Sequence, residues 1–205
     1  DCLGAYAAKL VGTLILVGAF ALKIPQIYNL YSTKDVVGLS AGAFYSEVPL
    51  SMVSVIYNIL QGNPFTSYGE GCIIMIQNII LVFLLWAYMK PSPTMGTITT
   101  VLGLFITVAI GSFYLPIEYQ YILPLSTLPM MVYSRMAQIL TNYQLGTTGQ
   151  LSIITTFLQF GGSIARVFTT ILEVGWDMSL LSVYALSTAL SAILMAQVLL
   201  LLLPL

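Results

Sequence analysis

The sequence predicts an all-α membrane protein, a seven-transmembrane-helix bundle built as two parallel three-helix repeats joined by a linker helix. The first observation is composition: 59% of the residues are hydrophobic and only 6% are charged, too little polar surface for a water-soluble globule. The second is segmentation into apolar stretches of about twenty residues, the length of a helix that crosses a bilayer. The third is an internal repeat, because polar positions of the first half recur 112 residues later.

Seven apolar stretches account for the predicted spans, with Pro25 expected to kink the first and Pro124 and Pro129 to loosen the fifth. The fourth stretch has no counterpart in the repeat, and a single linker helix keeps the two triplets in the same orientation. The predicted domains are therefore residues 1–90, 91–115 and 116–205. The spans are approximately 3–30, 38–60, 70–89, 94–114, 119–141, 151–172 and 178–203.

The repeat register is defined by Pro25-Gln26 against Ala137-Gln138 and by Leu39-Ser40 against Leu151-Ser152. Polar residues then correspond in steps of three and four, the spacing of one helix face. The corresponding pairs are Lys23 with Arg135, Glu47 with Gln159, Ser51 with Ser163, Ser54 with Arg166, and Asn58 with Thr170.

A charged side chain in mid-membrane is costly, so it usually faces a bundle interior, a cavity or a partner. We expect the repeat to turn the polar faces of its two copies toward a shared interior that binds a ligand. Two structural readings remain open: Lys23 and Glu47 could form a neutral lock, and Arg166 could extend to the membrane surface. The candidate ligand-binding residues are Lys23, Gln26, Asn29, Glu47, Arg135, Gln138, Asn142, Gln159 and Arg166, and the candidate hinges are Pro25, Pro49 and Gly161.

Enzymatic catalysis is the least favoured class of function. The chain has no histidine and only two cysteines, so the commonest general base and any cysteine metal cluster are missing. We therefore expect no catalytic residue, no metal and no cofactor. The net charge of −1 also gives no basic field for binding nucleic acid.

Loop charge predicts the orientation of the chain in the membrane. Lys34 and Lys90 fall in turns on one side, and the turns on the other side carry only acids. Because cytosolic loops are enriched in lysine and arginine, we expect a lumenal amino terminus and a cytosolic carboxyl terminus. Cys2 and Cys72 then lie near the lumenal face, either as a disulfide or as unpaired thiols.

Pro25-Gln26 resembles the signature of the PQ-loop membrane proteins, which include SWEET sugar transporters and cystinosin-type amino-acid exporters. The resemblance implies a SWEET-like fold of three, one and three helices. The second repeat departs from it, because Ala137 replaces the proline and argues against a symmetric two-kink mechanism. Longer blocks are similar to the branch of mannose-P-dolichol utilization defect proteins: Asn63-Pro-Phe-Thr-Ser-Tyr-Gly-Glu70, Asn142-Tyr143 followed by Thr148-Gly-Gln-Leu-Ser152, and Phe160-Gly-Gly-Ser-Ile-Ala-Arg-Val-Phe-Thr-Thr170.

That branch implies a multi-pass protein of the endoplasmic reticulum membrane, needed for use of dolichol-phosphate-linked mannose and glucose in N-glycosylation and GPI-anchor biosynthesis. The implied partners are this sugar lipid, membrane lipids and the glycosyltransferases that use it. Our hypothesis is that Lys23, Arg135 and Arg166 contact the phosphate while the amides and Glu47 contact sugar hydroxyls. Two alternatives remain: transport of a small solute such as a sugar or amino acid, and a chaperone or partner of the glycosyltransferases.

Overall fold

The structure, a computed structural model, describes residues 2–36, 41–145 and 153–202 of the chain. Leu39-Ser40 and Leu151-Ser152, which help to set the repeat register, lie outside the described residues. The helices pack into two units, one of residues 12–123 and one of residues 1–11 together with 124–205. The division into two repeats and a linker at residues 90 and 115 stays a prediction.

The first predicted span is a pair of helices separated at Lys23. Helix α1 is Cys2–Leu22 and α2 is Ile24–Thr33, with Pro25 in the first turn of α2. Proline has no N–H to donate to the preceding turn, but it fits the first turn of a new helix, where that N–H has no partner. The kink predicted from Pro25 is therefore confirmed.

Three long helices follow and bury the apolar core of their unit. They are α3, Ala41–Leu60; α4, Phe65–Tyr88; and α5, Met95–Phe113. Helix α4 begins before the predicted start at residue 70, and α3 packs against both α4 and α5. The core contains residues from α2 to α5: Leu30, Phe44, Val48, Leu81, Val82, Leu85, Val101 and Phe105.

The fifth predicted span is interrupted. A 3-10 turn at Ile117–Tyr119 precedes a short helix, α6, at Ile122–Leu125, and the long helix α7 is Leu128–Leu145. The interruption lies between Pro124 and Pro129, so the predicted loosening is confirmed.

The last two predicted spans are α8 and α9, which pack against each other. Helix α8 is Ile153–Thr169 and passes into a π-helical turn at Thr170–Val174. Helix α9 is Met178–Leu202, and the Asp177 carboxylate caps it by accepting hydrogen bonds from the N–H groups of Ser179 and Leu180 at 2.9 and 3.2 Å.

Within the described residues, five helical stretches are long and apolar enough to cross a membrane by themselves: Ala8–Thr33, Ala41–Leu60, Phe65–Tyr88, Met95–Phe113 and Met178–Leu200. The described parts of α7 and α8 fall outside this group for different reasons. Helix α8 has only 17 described residues, and α7 places Arg135, Gln138 and Asn142 within 18 residues. These three candidate ligand-binding residues thus lower the mean hydropathy of α7.

The repeat extends beyond the point at which sequence similarity fades. The Asn63 N–H donates to the Asn58 carbonyl at 3.0 Å, and the Gly175 N–H donates to the Thr170 carbonyl at 2.9 Å. The first bond belongs to a Schellman motif that ends α3, since Gly62 is left-handed at φ 68° and its N–H donates to the Ile59 carbonyl. The second bond closes the π-helical turn after α8. Their positions differ by the same 112 residues as the sequence repeat.

Candidate functional site

The first repeat contains an ion pair at its helix break. Lys23 Nζ lies 2.7 Å from Glu47 Oε2, which joins the α1–α2 junction to α3. The side chains are 22% and 39% exposed, so the pair is only partly buried. The Glu47 carboxylate balances the charge of Lys23, which is the contact that a structural lock requires.

The second repeat contains a matching contact of different charge. Arg135 Nη1 donates to Gln159 Oε1 at 2.6 Å, joining α7 to α8. In each repeat the cation and its acceptor are 24 residues apart in sequence. The positions that the repeat alignment made equivalent therefore form equivalent contacts, one in each unit.

The difference between Glu47 and Gln159 gives the two contacts different net charges. The amide of Gln159 accepts a hydrogen bond but cannot neutralise the guanidinium of Arg135. The sequences of α7 and α8 contain no acidic residue. Arg135 is half-buried and Gln159 is exposed, so the second contact presents a cation and an amide that remain accessible to a ligand.

Two further equivalent residues, Gln26 and Gln138, lie one turn after the cations. Both are half-buried, and no hydrogen-bond partner for either side-chain amide lies within the described part of the chain. Each amide offers one acceptor and two donor hydrogens. The nearby Asn29 side chain is exposed on α2.

Asn142 has an internal role in its unit. It is 5% exposed, and its Nδ2 donates to Gln197 Oε1 at 3.4 Å, while Gln197 Nε2 donates to the Ile139 carbonyl at 3.1 Å. The equivalent positions of the first repeat are Leu30 and Leu85, both in the buried apolar core. A polar contact between α7 and α9 thus replaces an apolar one.

Sequence reasoning missed Gln197. The available signal was an isolated amide in the otherwise apolar α9, because such an amide inside a membrane helix usually bonds to a neighbouring helix.

Arg166 is buried within its unit. Its side chain is 5% exposed, so it does not extend along the surface as the alternative reading required. Arg166 makes an interaction within the described structure, and its own carbonyl accepts from Thr169 Oγ1 at 3.3 Å. A cation this deeply buried is consistent with an internal structural contact as well as with ligand binding.

The three candidate hinges differ in local structure. Pro25 lies beside the α1–α2 break, whereas α3 continues through Pro49 and α8 continues through Gly161. Hinge motion at these positions stays a prediction. Among the described residues no cluster suited to a metal is found, and Cys72 is a free thiol, while the side chain of Cys2 lies outside that part of the structure.

An apolar cavity of about 530 Å³ lies in the second unit, between α8 and α9. The hydroxyl of Thr188 donates to the Tyr184 carbonyl at 2.8 Å, which leaves hydrocarbon as the main lining. A cavity of this composition suits an apolar chain. Its lining residues are Ile164, Val167, Phe168, Ile171, Ala185, Thr188 and Ala189.

Comparison with known proteins gives a family and a fold. The sequence profile of the PQ loop repeat matches residues 7–67 and 120–178, which is one match in each repeat. The solved structure of a eukaryotic SWEET transporter at 3.7 Å resolution aligns with a TM-score of 0.73 and 13% sequence identity, covering 97% of each chain. This likeness confirms the predicted all-helical fold of three, one and three helices.

Proposed function

The chain belongs to the PQ-loop repeat family of membrane proteins, and from that premise we propose that it binds dolichol-phosphate-linked mannose or glucose. In this proposal the protein presents or translocates the lipid for the glycosyltransferases of the endoplasmic reticulum, and it carries out no catalysis itself. Location in that membrane and the enzymes as partners belong to the same proposal. They are supported by the blocks at residues 63–70 and 160–170 that resemble the mannose-P-dolichol utilization defect branch.

The proposal rests on the Arg135–Gln159 contact, in which no acidic residue of the described part of the chain pairs with the arginine. Its counterpart, Lys23–Glu47, shows that the same backbone positions can hold a neutral pair. A cation that keeps its charge in an apolar helix favours an anionic ligand, and hydrogen bonds from an arginine to phosphate oxygens are strong where water is scarce. The proposed role of Arg135 is therefore to contact the lipid phosphate.

Two other features support a phosphate that carries both a sugar and a hydrocarbon chain. Gln138, one turn after Arg135 in the same unit, offers an amide that can bond sugar hydroxyls, since its side chain has no partner among the described residues. The cavity of about 530 Å³ between α8 and α9 provides an apolar surface for part of the polyprenyl chain. A water-soluble ligand would gain nothing from that cavity.

The test is to give Arg135 the partner that Lys23 already has. Gln159→Glu keeps the size of the side chain and the acceptor oxygen but adds a neutralising charge. We expect binding of dolichyl phosphate mannose to purified protein, measured by native mass spectrometry, to weaken about tenfold or more, the loss for about 1.4 kcal/mol of a charged contact. Lipid-linked oligosaccharide assembly should fall in cells that lack the native protein and express this variant.

Gln144→Glu is the matched control, because it makes the same chemical change at an exposed amide of α7. It should leave binding and complementation unchanged. Arg135→Ala and Lys23→Ala extend the test to the cations themselves. The proposal is wrong if Gln159→Glu, Arg135→Ala and Lys23→Ala all fold and all support wild-type oligosaccharide assembly. If these variants also still co-purify with the transferases, that result would favour a role as a partner of those enzymes.

Transport of a small solute is the second candidate, favoured by the SWEET-like fold and by the helix break at Lys23. In that case Glu47 serves as the proton- or substrate-binding carboxylate. Uptake of labelled hexoses and amino acids into proteoliposomes separates the candidates. Saturable uptake that Glu47→Gln abolishes would favour transport over the lipid proposal. Absence of uptake together with tight lipid binding would support the lipid proposal.

A further inference from the structure

A second basic site lies where α2 and α4 end. Lys34 follows α2 in the left-handed conformation, with φ of 53°, and its N–H donates to the Leu30 carbonyl at 3.0 Å. Lys90 follows Met89, the residue that caps the end of α4. The two side chains line one cavity of about 270 Å³, together with Asp35, Val36 and Tyr88.

A neighbouring cavity of about 420 Å³ shares Lys90 and extends to the beginning of α5. Its lining includes Ser92, Thr94 and Thr97, which supply hydroxyl groups. Thr94 caps α5, since its Oγ1 accepts from the Thr97 N–H at 3.1 Å. The first turn of a helix also carries partial positive charge, which favours an anion nearby.

The first cavity carries a net positive charge, because two lysines face one aspartate. Neither lysine ammonium has an ion-pair partner in the described parts of the chain. The backbone N–H of Asp35 donates to Thr33 Oγ1 at 3.3 Å, which helps to hold the turn beside the lysines. The charge of the site is therefore available to a ligand.

Aromatic residues indicate the membrane depth of these cavities. Trp86 Nε1 donates to the Tyr45 hydroxyl at 2.8 Å, and Tyr45 lines the larger cavity while Tyr88 lines the smaller. Tryptophan and tyrosine concentrate at the level of lipid headgroups, where apolar spans end. Basic pockets between membrane helices at this level can bind anionic headgroups.

We propose that the two cavities bind the phosphate-bearing headgroup of a membrane lipid, with Lys34 and Lys90 on the phosphate and the hydroxyls of the larger cavity on the rest of the headgroup. The inference concerns residues outside the Arg135–Gln159 contact and holds whether or not that contact binds a sugar lipid. A water-soluble phosphate offers the same anionic chemistry, so the experiment has to distinguish the two sources.

The experiment compares full-length protein reconstituted in phosphatidylcholine vesicles with and without phosphatidylinositol. Native mass spectrometry then counts the phosphatidylinositol molecules retained. We expect Lys34→Ala and Lys90→Ala each to weaken retention about fivefold, the value of one lysine near a headgroup. Lys9→Ala, which removes a lysine that lines neither cavity, should have no effect.

A second variant separates loss of charge from loss of fold. Ser92→Glu adds a carboxylate beside Lys90 and should also lower retention, because it repels the phosphate. Retention unchanged in the double variant Lys34→Ala/Lys90→Ala, or in Ser92→Glu, would overturn the proposal. So would lysine-dependent binding of inorganic phosphate to detergent-solubilised protein that matches or exceeds the binding of phosphatidylinositol.

Discussion

Lys23 and Arg135 hold equivalent places in the two repeats, but their acceptors give them different electrostatic surroundings. Lys23 has a carboxylate 2.7 Å away, and Arg135 has an amide oxygen 2.6 Å away. An ion pair removed from water is stable only while both partners are present, since either charge left alone is poorly solvated. The first contact should therefore behave as a coupled pair in stability measurements.

We expect Lys23→Met to lower the free energy of unfolding by about 1 to 3 kcal/mol, less than for a fully buried pair because these side chains are partly exposed. Lys23→Met/Glu47→Leu should recover most of the loss, since no lone charge remains. Unfolding by SDS in mixed micelles measures both, and Lys90→Met, at an exposed lysine outside this ion pair, is the control. Additive losses in the double variant would show that the two residues are not coupled.

Gln77 joins α4 to the last turn of α1 in the first repeat. It is 7% exposed, and its Nε2 donates to the Phe20 carbonyl at 2.9 Å, in the last turn before α1 ends at Leu22. The equivalent residue of the second repeat is Ala189, and α7 has no break at the corresponding depth. The Gln77 amide thus occurs in the repeat whose first span contains a helix end, where backbone carbonyls need hydrogen-bond donors.

Gln77→Ala should lower the free energy of unfolding by about 0.5 to 1.5 kcal/mol, the value of one hydrogen bond. Ile76→Ala is a suitable control, because it shortens a neighbouring side chain of α4 that is exposed. Thermal unfolding in detergent gives the comparison. Equal shifts of the midpoint for both variants would contradict the proposed bond to the Phe20 carbonyl.

At the scale of whole helices, proline position alone does not predict a break. Pro25 coincides with the end of α1, but α3 runs through Pro49. One turn near Pro49 is supported by Ser51, whose Oγ donates to the carbonyls of Glu47 and Val48 at 2.8 and 2.9 Å. These bonds lie in the turn that contains Pro49, but they do not replace the lost bond to the Tyr45 carbonyl.

Introducing proline into α7 tests whether the second repeat needs a continuous helix. Ala137→Pro should cost about 3 kcal/mol, because it removes a backbone hydrogen bond and clashes with the preceding turn. Pro129→Ala, in the first turn of α7, should have little effect on the free energy of unfolding. Circular dichroism during thermal unfolding measures both. A small loss for Ala137→Pro would show that α7 accepts the same break as α1–α2.

Several element boundaries depend on packing that the sequence does not display. Helix α4 starts at Phe65, whereas the apolar stretch predicts a start at residue 70. Helical hydrogen bonding also includes the more polar residues 65–70. The π-helical turn after α8 was not predicted either, because a single wide hydrogen bond leaves no periodic pattern. The long apolar helices, by contrast, were predictable from length and hydropathy.

At the scale of the whole molecule, the repeat was the most informative property of the sequence. It predicted the three-plus-one-plus-three fold, and it paired Lys23 with Arg135 and Glu47 with Gln159 before any contact was known. The Lys23–Glu47 pair was one of the readings that the sequence left open, but other contacts within a repeat could not be predicted from the comparison. The Asn142–Gln197 contact and the cavity beside Lys34 and Lys90 arise from helix packing and loop geometry.

The orientation of the chain in the membrane is predicted from loop charge alone. Lys34 and Lys90 both follow helix ends that share one side if the spans alternate, and the proposed headgroup site requires that side to meet an anionic leaflet. Ser92 lies in the turn after α4 and Glu118 in the turn after α5; both are exposed, so a cysteine at either position should react with a membrane-impermeant maleimide.

We expect Ser92→Cys, in a background with Cys2 and Cys72 replaced by serine, to be labelled in sealed microsomes whose cytosolic face is outside. Glu118→Cys should be labelled only after the membrane is permeabilised, because one span separates the two turns. The two variants control for each other, since each reports one side of the same helix, α5. The reversed pattern would place both lysines in the lumen and would contradict the orientation that their charge predicts.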